Sequence, residues 1–158
     1  MAVRALTMRS GAFEDGGTIP IRFTCDGEEQ SPPLAWDRAP EGTKSLALIV
    51  HDPDAPRGDF THWVVFNLPP GITELAAGVG SEGELPGGAR QGRNGFGKLG
   101  YGGPCPPPGP AHRYVFALLA LDASLDLPEG VTREQVERAT AGHTLARAQL
   151  TGRYARQH

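Results

Sequence analysis

The alternation of apolar and polar side chains along this chain is mostly of the β type. Residues 18–24 (TIPIRFT) alternate, as a half-exposed strand does, whereas residues 44–51 (KSLALIVH) form a nearly continuous apolar run bounded by Gly42 and Pro53. A run of that length between breakers predicts a central strand buried on both faces. Residues 61–68 (THWVVFNL), stopped by Pro69-Pro70, predict a third strand, and residues 112–122 (HRYVFALLALD) the longest. One helix is predicted at residues 132–141: Thr132 and Gln135 have the spacing of a capping box, Val131 and Val136 occupy the hydrophobic-staple positions, and Gly142 suits a left-handed stop. A further helical turn is expected at residues 72–77, and a helical turn followed by a strand at 149–153 within residues 144–154. Because the strands are joined by loops and not by regular crossover helices, the expected architecture is mainly β: a single domain, an antiparallel Greek-key β-sandwich of two sheets with one or two short peripheral α-helices.

Composition sharpens this picture. With 22 glycines and 15 prolines, close to a quarter of the 158 residues against about 12% in average usage, the chain is rich in turns, yet its 39% hydrophobic content falls in clear blocks and so argues against disorder. The net charge of −3 carries no basic excess and sets general nucleic-acid binding aside. No apolar run approaches the roughly 18 residues of a membrane span, and no leader-like segment opens the chain, so a cytoplasmic protein with no transmembrane segment is expected. Cys25 and Cys105, 80 positions apart, are then expected as reduced thiols.

Three segments carry candidate chemistry. Period-two alternation places His62 with Val64 and Phe66 on one face of the third strand, and His112 with Tyr114 and Phe116 on one face of the fourth. The central run ends in His51-Asp52-Pro53-Asp54, which sets carboxylates where a sheet yields to a loop. If these ends share a rim, Asp52, His62, His112 and Tyr114 form a polar cluster above an apolar wall, as in a small binding pocket. The glycine- and proline-rich stretch at 94–109 leads into His112 and could turn several backbone N–H groups toward an anion. Within residues 104–108 a cis proline is conceivable. Taken singly, Asp54 reads as a loop brace, Trp36 and Trp63 as core, His51 as structural, and His143 as a dipole partner at the helix end.

The stretches DPDAP (52–56), THWVVFN (61–67) and GYGGPCPPPG (100–109) followed by His112-Arg-Tyr114 resemble the phosphatidylethanolamine-binding protein family, in particular its bacterial Raf kinase inhibitor-like branch. TCDG (24–27), SPPLAW (31–36) and the ending from Gly142-His143 to Tyr154 fit as well. The resemblance implies a small anion-binding cavity at one end of the β-sandwich, built from Asp52, His62, His112 and Tyr114, with Gly102, Gly103 and Pro106 shaping its wall and Pro56 and Trp63 nearby. The expected function is binding of a small anion or phosphorylated ligand, without catalysis or cofactor: the histidines and glycine-loop amides hold the anion, Tyr114 donates a hydroxyl, and Asp52 orients His62. Because Asp52 would oppose a dianion unless it holds an imidazole protonated, binding is expected to strengthen as pH falls toward 6.

Other classes fit less well. A regulatory protein partner, with the chain acting as a kinase or protease inhibitor, is suggested by the family and by no linear motif here, and a homodimer is compatible with an edge strand or the C-terminal segment. A metal site from His62, His112, Asp52 and Cys105 lacks a short-spaced ligand pair. A hydrolase built on Cys105 lacks a Gly-x-Ser-x-Gly elbow, and the flanking prolines describe a rigid wall.

Overall fold

A computed structural model of the chain describes residues 3–79 and 85–156. Among the described residues there are eight strands, β1 (Arg4–Arg9), β2 (Leu34–Trp36), β3 (Ser45–Asp52), β4 (Phe60–Leu68), β5 (Glu74–Leu75), β6 (Arg90–Gln91), β7 (His112–Leu121) and β8 (Thr144–Tyr154), with one α-helix, α1 (Arg133–Thr140), between β7 and β8. They hydrogen-bond in the order β5-β2-β1-β8-β7-β3-β4-β6.

This order corrects the expected sandwich of two antiparallel sheets. The strands form one curled, mixed sheet, because β1 pairs parallel to β8 from Arg4↔Ala146 to Thr7↔Gln149 and joins β2 and β5 to the rest. The joining strand left little trace in the sequence: of its six residues only Met8 is buried, so no alternation betrays it. The curl brings Trp36 and Leu34 of β2 into the same core as Leu46, Leu48 and Val50 of β3, Trp63 and Val65 of β4, and Tyr114, Phe116 and Leu118 of β7. On the opposite face, Ala47, Ile49, Val64, Phe66 and Leu119 pack under Val131 and Val136 of the α1 segment. With a core on each side, β3 is buried along nearly its whole length, which is why its sequence is continuous and not alternating.

Local signals succeeded where they were chemically specific. Thr132 caps α1, its hydroxyl accepting from Gln135 N–H while the Gln135 side chain accepts from Thr132 N–H. Elsewhere the pattern misled. Residues 18–24 hold only an isolated bridge at Thr18 and a 3-10 turn over Ile21–Phe23, and the expected helical turn at 72–77 is instead the short strand β5. β8 is a strand throughout, with Ala146, Ala148, Leu150, Gly152 and Tyr154 turned inward. Gly152 lies against Ile19 and Phe13, where an added Cβ would come within 2.5 Å of Ile19 Cγ1.

The cysteines are also corrected. Cys25 and Cys105 form a disulfide, their Cα atoms 5.4 Å apart. The fold lays the two loops together: Cys25 N–H donates to Pro104 O, and Tyr101 hydroxyl donates to Phe23 O. No peptide bond among the described residues is cis.

Candidate functional site

The ends of β3, β4 and β7 meet at one rim of the sheet, and the backbone there departs from regular pairing in an informative way. Val50 lies opposite Trp63, but His51 lies opposite Thr61, so His62 is the extra residue of a β-bulge. The bulge corrects the face assigned by simple alternation. Val64 and Phe66 face the helix layer, while His62 is turned to the other side, its ring 5.2 Å from that of Tyr114 and 5.0 Å from that of Phe60. On β7 the alternation holds: His112, Tyr114 and Phe116 share a face, and the His112 and Tyr114 rings stack at 6.5 Å.

Together these residues surround a cavity of about 180 Å³ lined by Asp52, Ala55, Pro56, Phe60, His62, Phe96, Cys105, Pro106, Pro107, His112 and Tyr114. The expected cluster of Asp52, His62, His112 and Tyr114 is thus brought together, with Pro106 and Pro56 in the wall. Ala55, Phe60, Phe96 and Pro107 join it without having been singled out as ligand contacts, and Cys105, weighed above only as a metal ligand or a nucleophile, lies in the wall as half of the disulfide. Phe96 did leave a signal, as a lone aromatic between glycines in a polar loop. That loop is held in shape by Asn94, whose side-chain oxygen accepts from the N–H groups of Phe96 and Lys98 while its amide donates to Gly100 O. Phe96 thereby rests edge-on against Phe60 and His62.

Each histidine has one anchored nitrogen. His112 Nδ1 lies 2.7 Å from Asp52 Oδ2, and His62 Nδ1–H donates to Gly102 O, also at 2.7 Å. Asp52 therefore orients His112 and not His62, a correction to the expected role. The other Asp52 oxygen accepts from Asp54 N–H and closes the turn after β3. The carbonyl of Gly102, not a carboxylate, sets the His62 ring, so in neutral His62 the proton sits on Nδ1 and Nε2 is left as the acceptor. Burial lowers the His62 pKa below the ordinary imidazole value; the Gly102 hydrogen bond and the Asp52 and Glu29 charges oppose that shift.

The glycine-loop amides are placed otherwise than expected. Gly102 N–H donates to His62 O and Gly103 N–H donates to Glu29 Oε2, so neither amide is free to hold an anion. Both glycines are needed for close approach: a Cβ on Gly102 would strike the Phe96 ring, and one on Gly103 would strike Phe23 O. They support the wall from behind.

The Tyr114 hydroxyl is the unsatisfied group of the site. The residue is 1% exposed and its hydroxyl has no hydrogen-bond partner among the described residues. Burial, with the nearby Asp52 charge second, raises its pKa, which keeps the phenol protonated and able to donate. A buried polar group without a partner costs about 1–3 kcal/mol, and a ligand acceptor would recover that cost.

Asp54 braces the rim as anticipated, taking both NH2 and Nε of Arg113 and its backbone N–H. This pairing lowers the Asp54 pKa from 3.8 to about 2, the Arg113 hydrogen bonds being the largest cause. Because the folded pKa is depressed, the stabilisation is complete above the unfolded pKa and is lost as pH falls through about 2. Both side chains are well exposed, so Arg113→Ala is expected to cost less than about 1 kcal/mol at pH 7. Urea midpoints across pH should show that cost fading between pH 4 and 2; a cost unchanged at pH 2 would contradict the pairing.

The remaining singled-out residues have structural partners. His51 lies on the opposite face, bonded to Asp59, and His143 pairs with Asp122 instead of serving the helix end alone. Two larger surface grooves, of about 640 and 770 Å³, lie away from the rim. Several of their charged groups are paired, as in His51 with Asp59, Arg133 with Glu137 and Arg156 with Asp26. No cluster of three or more His, Cys, Asp or Glu side chains among the described residues is arranged to hold a metal ion. Nor does any helix among them have the length and apolarity to cross a membrane. Cys105, being in the disulfide, offers no thiolate to a metal or a substrate.

A β-rich chain with a histidine-, carboxylate- and tyrosine-lined cavity at one sheet end describes a ligand-binding protein class. The phosphatidylethanolamine-binding protein family model matches residues 9–155, and the chain belongs to that family. A UPF0098 protein of Methanothermobacter thermautotrophicus is 54% identical over 151 residues, covering 96% of this chain and 99% of that one. Among solved structures, a phosphatidylethanolamine-binding protein homologue of Chlamydia trachomatis superposes with a TM-score of 0.88 at 42% identity, covering 97% of this chain and 99% of that one. Escherichia coli YbcL, described as a member of the mammalian family, gives 0.90 at 35% identity, covering 96% and 98%.

Proposed function

We propose that this protein binds a small anionic ligand, such as a phosphorylated head group, in the rim cavity, and that it acts by binding and not by catalysis. The observation that carries this reading is the buried, unpartnered hydroxyl of Tyr114, a residue that lines a cavity together with two histidines whose Nδ1 atoms are already anchored. Each ring then has only Nε2 left for a ligand. The anion accepts from Tyr114 and from whichever Nε2 carries a proton. Family membership supports a binding role in general, and among the described residues the cavity lining holds no serine, threonine, lysine or free thiol.

An anion seated on Nε2 favours the imidazolium form, so binding takes up protons and the affinity rises as pH falls, by at most tenfold per unit for each proton. Titration calorimetry with phosphoethanolamine at pH 6 and pH 8 tests this. Tighter binding at pH 6 is expected; affinity that rises with pH, or no heat at either pH, overturns the reading. Tyr114→Phe separates binding from folding. Because the hydroxyl has no partner among the described residues, its removal is expected to raise stability by about 1 kcal/mol while weakening anion binding roughly tenfold or more. A destabilised variant with unchanged affinity would place the hydroxyl's role in the core.

A further inference from the structure

The charge and shape of the cavity say more about the ligand than that it is an anion. Among the described residues no lysine or arginine lines it, and the one carboxylate that does, Asp52, faces His112. Two arginines adjoin lining residues in sequence: Asp54 occupies the guanidinium of Arg113, and Arg57, next to Pro56, is exposed and is not part of the lining. Donors are few: the Tyr114 hydroxyl and, when its ring is protonated, each imidazole Nε2, the amides of Gly102 and Gly103 being engaged elsewhere. The rest of the wall is apolar, chiefly Phe60, Phe96, Pro56, Pro106 and Pro107. A phosphate dianion brings four oxygens and two charges into a site with about three donors and no fixed cation, so some oxygens would face rings and prolines unsatisfied. A planar carboxylate brings two oxygens and one charge, which this donor set covers. The volume of about 180 Å³ corresponds to about six water-sized groups.

Resting on the anion-binding reading above, we propose that the cavity selects monoanions with a small apolar substituent, typified by short-chain monocarboxylates, over dianions of similar size. The carboxylate sits between His62, His112 and Tyr114, and the alkyl part lies against Phe60 and Phe96. The groups facing His62 are consistent with this: Asp52 and Glu29 place negative charge near it, His51 lies behind it, and Tyr114, Phe60 and Phe96 enclose the ring. Phosphorylated ligands would enter as their monoanions.

The test is a set of titrations of the full, disulfide-bonded chain at pH 7 with acetate, butyrate, succinate and inorganic phosphate, followed by amide chemical shifts. Each buried methylene is worth about fourfold in affinity, so butyrate is expected to bind roughly tenfold tighter than acetate and at least tenfold tighter than succinate. Phe96→Ala, a change at a half-exposed ring, is expected to shrink the butyrate-to-acetate ratio, and Phe96→Leu to recover much of it. Succinate or phosphate binding as tightly as butyrate overturns the inference, as does a butyrate-to-acetate ratio near one or one indifferent to Phe96→Ala. If phosphate binds and no monocarboxylate does, the anion-binding reading stands and this selectivity falls. If no anion binds, both fall.

Discussion

Trp63→Ala is expected to lower folding stability by about 3–5 kcal/mol, among the largest losses of any single truncation in this chain. Trp63 is fully buried, its Nε1–H donates to Gln91 Oε1 at 2.7 Å, and its ring packs edge-on against Tyr101 at 5.5 Å. The substitution opens a cavity where the bulge of β4 meets the curled core and removes the donor that Gln91 accepts from. Against a typical total of 5–15 kcal/mol, such a loss leaves the protein marginal. Trp63→Phe retains most of the apolar volume and should cost distinctly less. Urea unfolding curves of the two variants measure this, and a cost below about 1 kcal/mol for the alanine variant would show that the core relaxes around the void. Since Trp63 follows His62 in the bulge, the alanine variant should also shift the His62 ring resonances.

Removing the disulfide is the second large effect. Linking Cys25 to Cys105 closes a loop with a sequence separation of 80, for which loop-closure entropy predicts about 4.5 kcal/mol of stabilisation through the unfolded chain. Native contacts between the two loops survive the change, since Cys25 N–H to Pro104 O and Tyr101 hydroxyl to Phe23 O do not depend on sulfur. A paired Cys25→Ser, Cys105→Ser variant should therefore fold, with its urea midpoint well below that of the oxidised protein. A dithiol reductant should bring the wild-type protein to nearly the same midpoint and leave the paired variant unmoved. Two rapidly alkylated thiols in the untreated native protein, with a midpoint indifferent to reductant, would rule the bond out. Because Cys105 lies in the cavity wall beside Pro106 and Pro107, reduction is also expected to weaken anion binding.

The histidines at the starts of two strands, the acidic end of β3 and the tyrosine of β7 could be assembled from spacing because each sits at an element boundary marked by proline or glycine. The division of labour among them could not. Asp52 serves His112 and the Gly102 carbonyl serves His62 because of a one-residue bulge and the path of a loop, neither of which side-chain periodicity records. The supposed amide nest failed for a related reason: glycine permits an N–H to point many ways, and here close packing against His62 and Glu29 decided the direction.

The chain itself determined the elements whose causes are local: the buried run of β3, the long apolar strand β7, and the capping box and staple of α1. Apolar burial and hydrogen bonds between near neighbours act over a few residues, and so they are written there. Tertiary structure alone decided that the strands make one curled sheet instead of two, that β8 is a strand along its whole length though Leu145 to Ala148 are good helix formers, that two cysteines 80 residues apart join, and that Phe60 and Phe96 close the cavity. Those outcomes depend on which distant segments bury each other, and a parallel pairing between the two ends of a chain has no signature until both ends are in place.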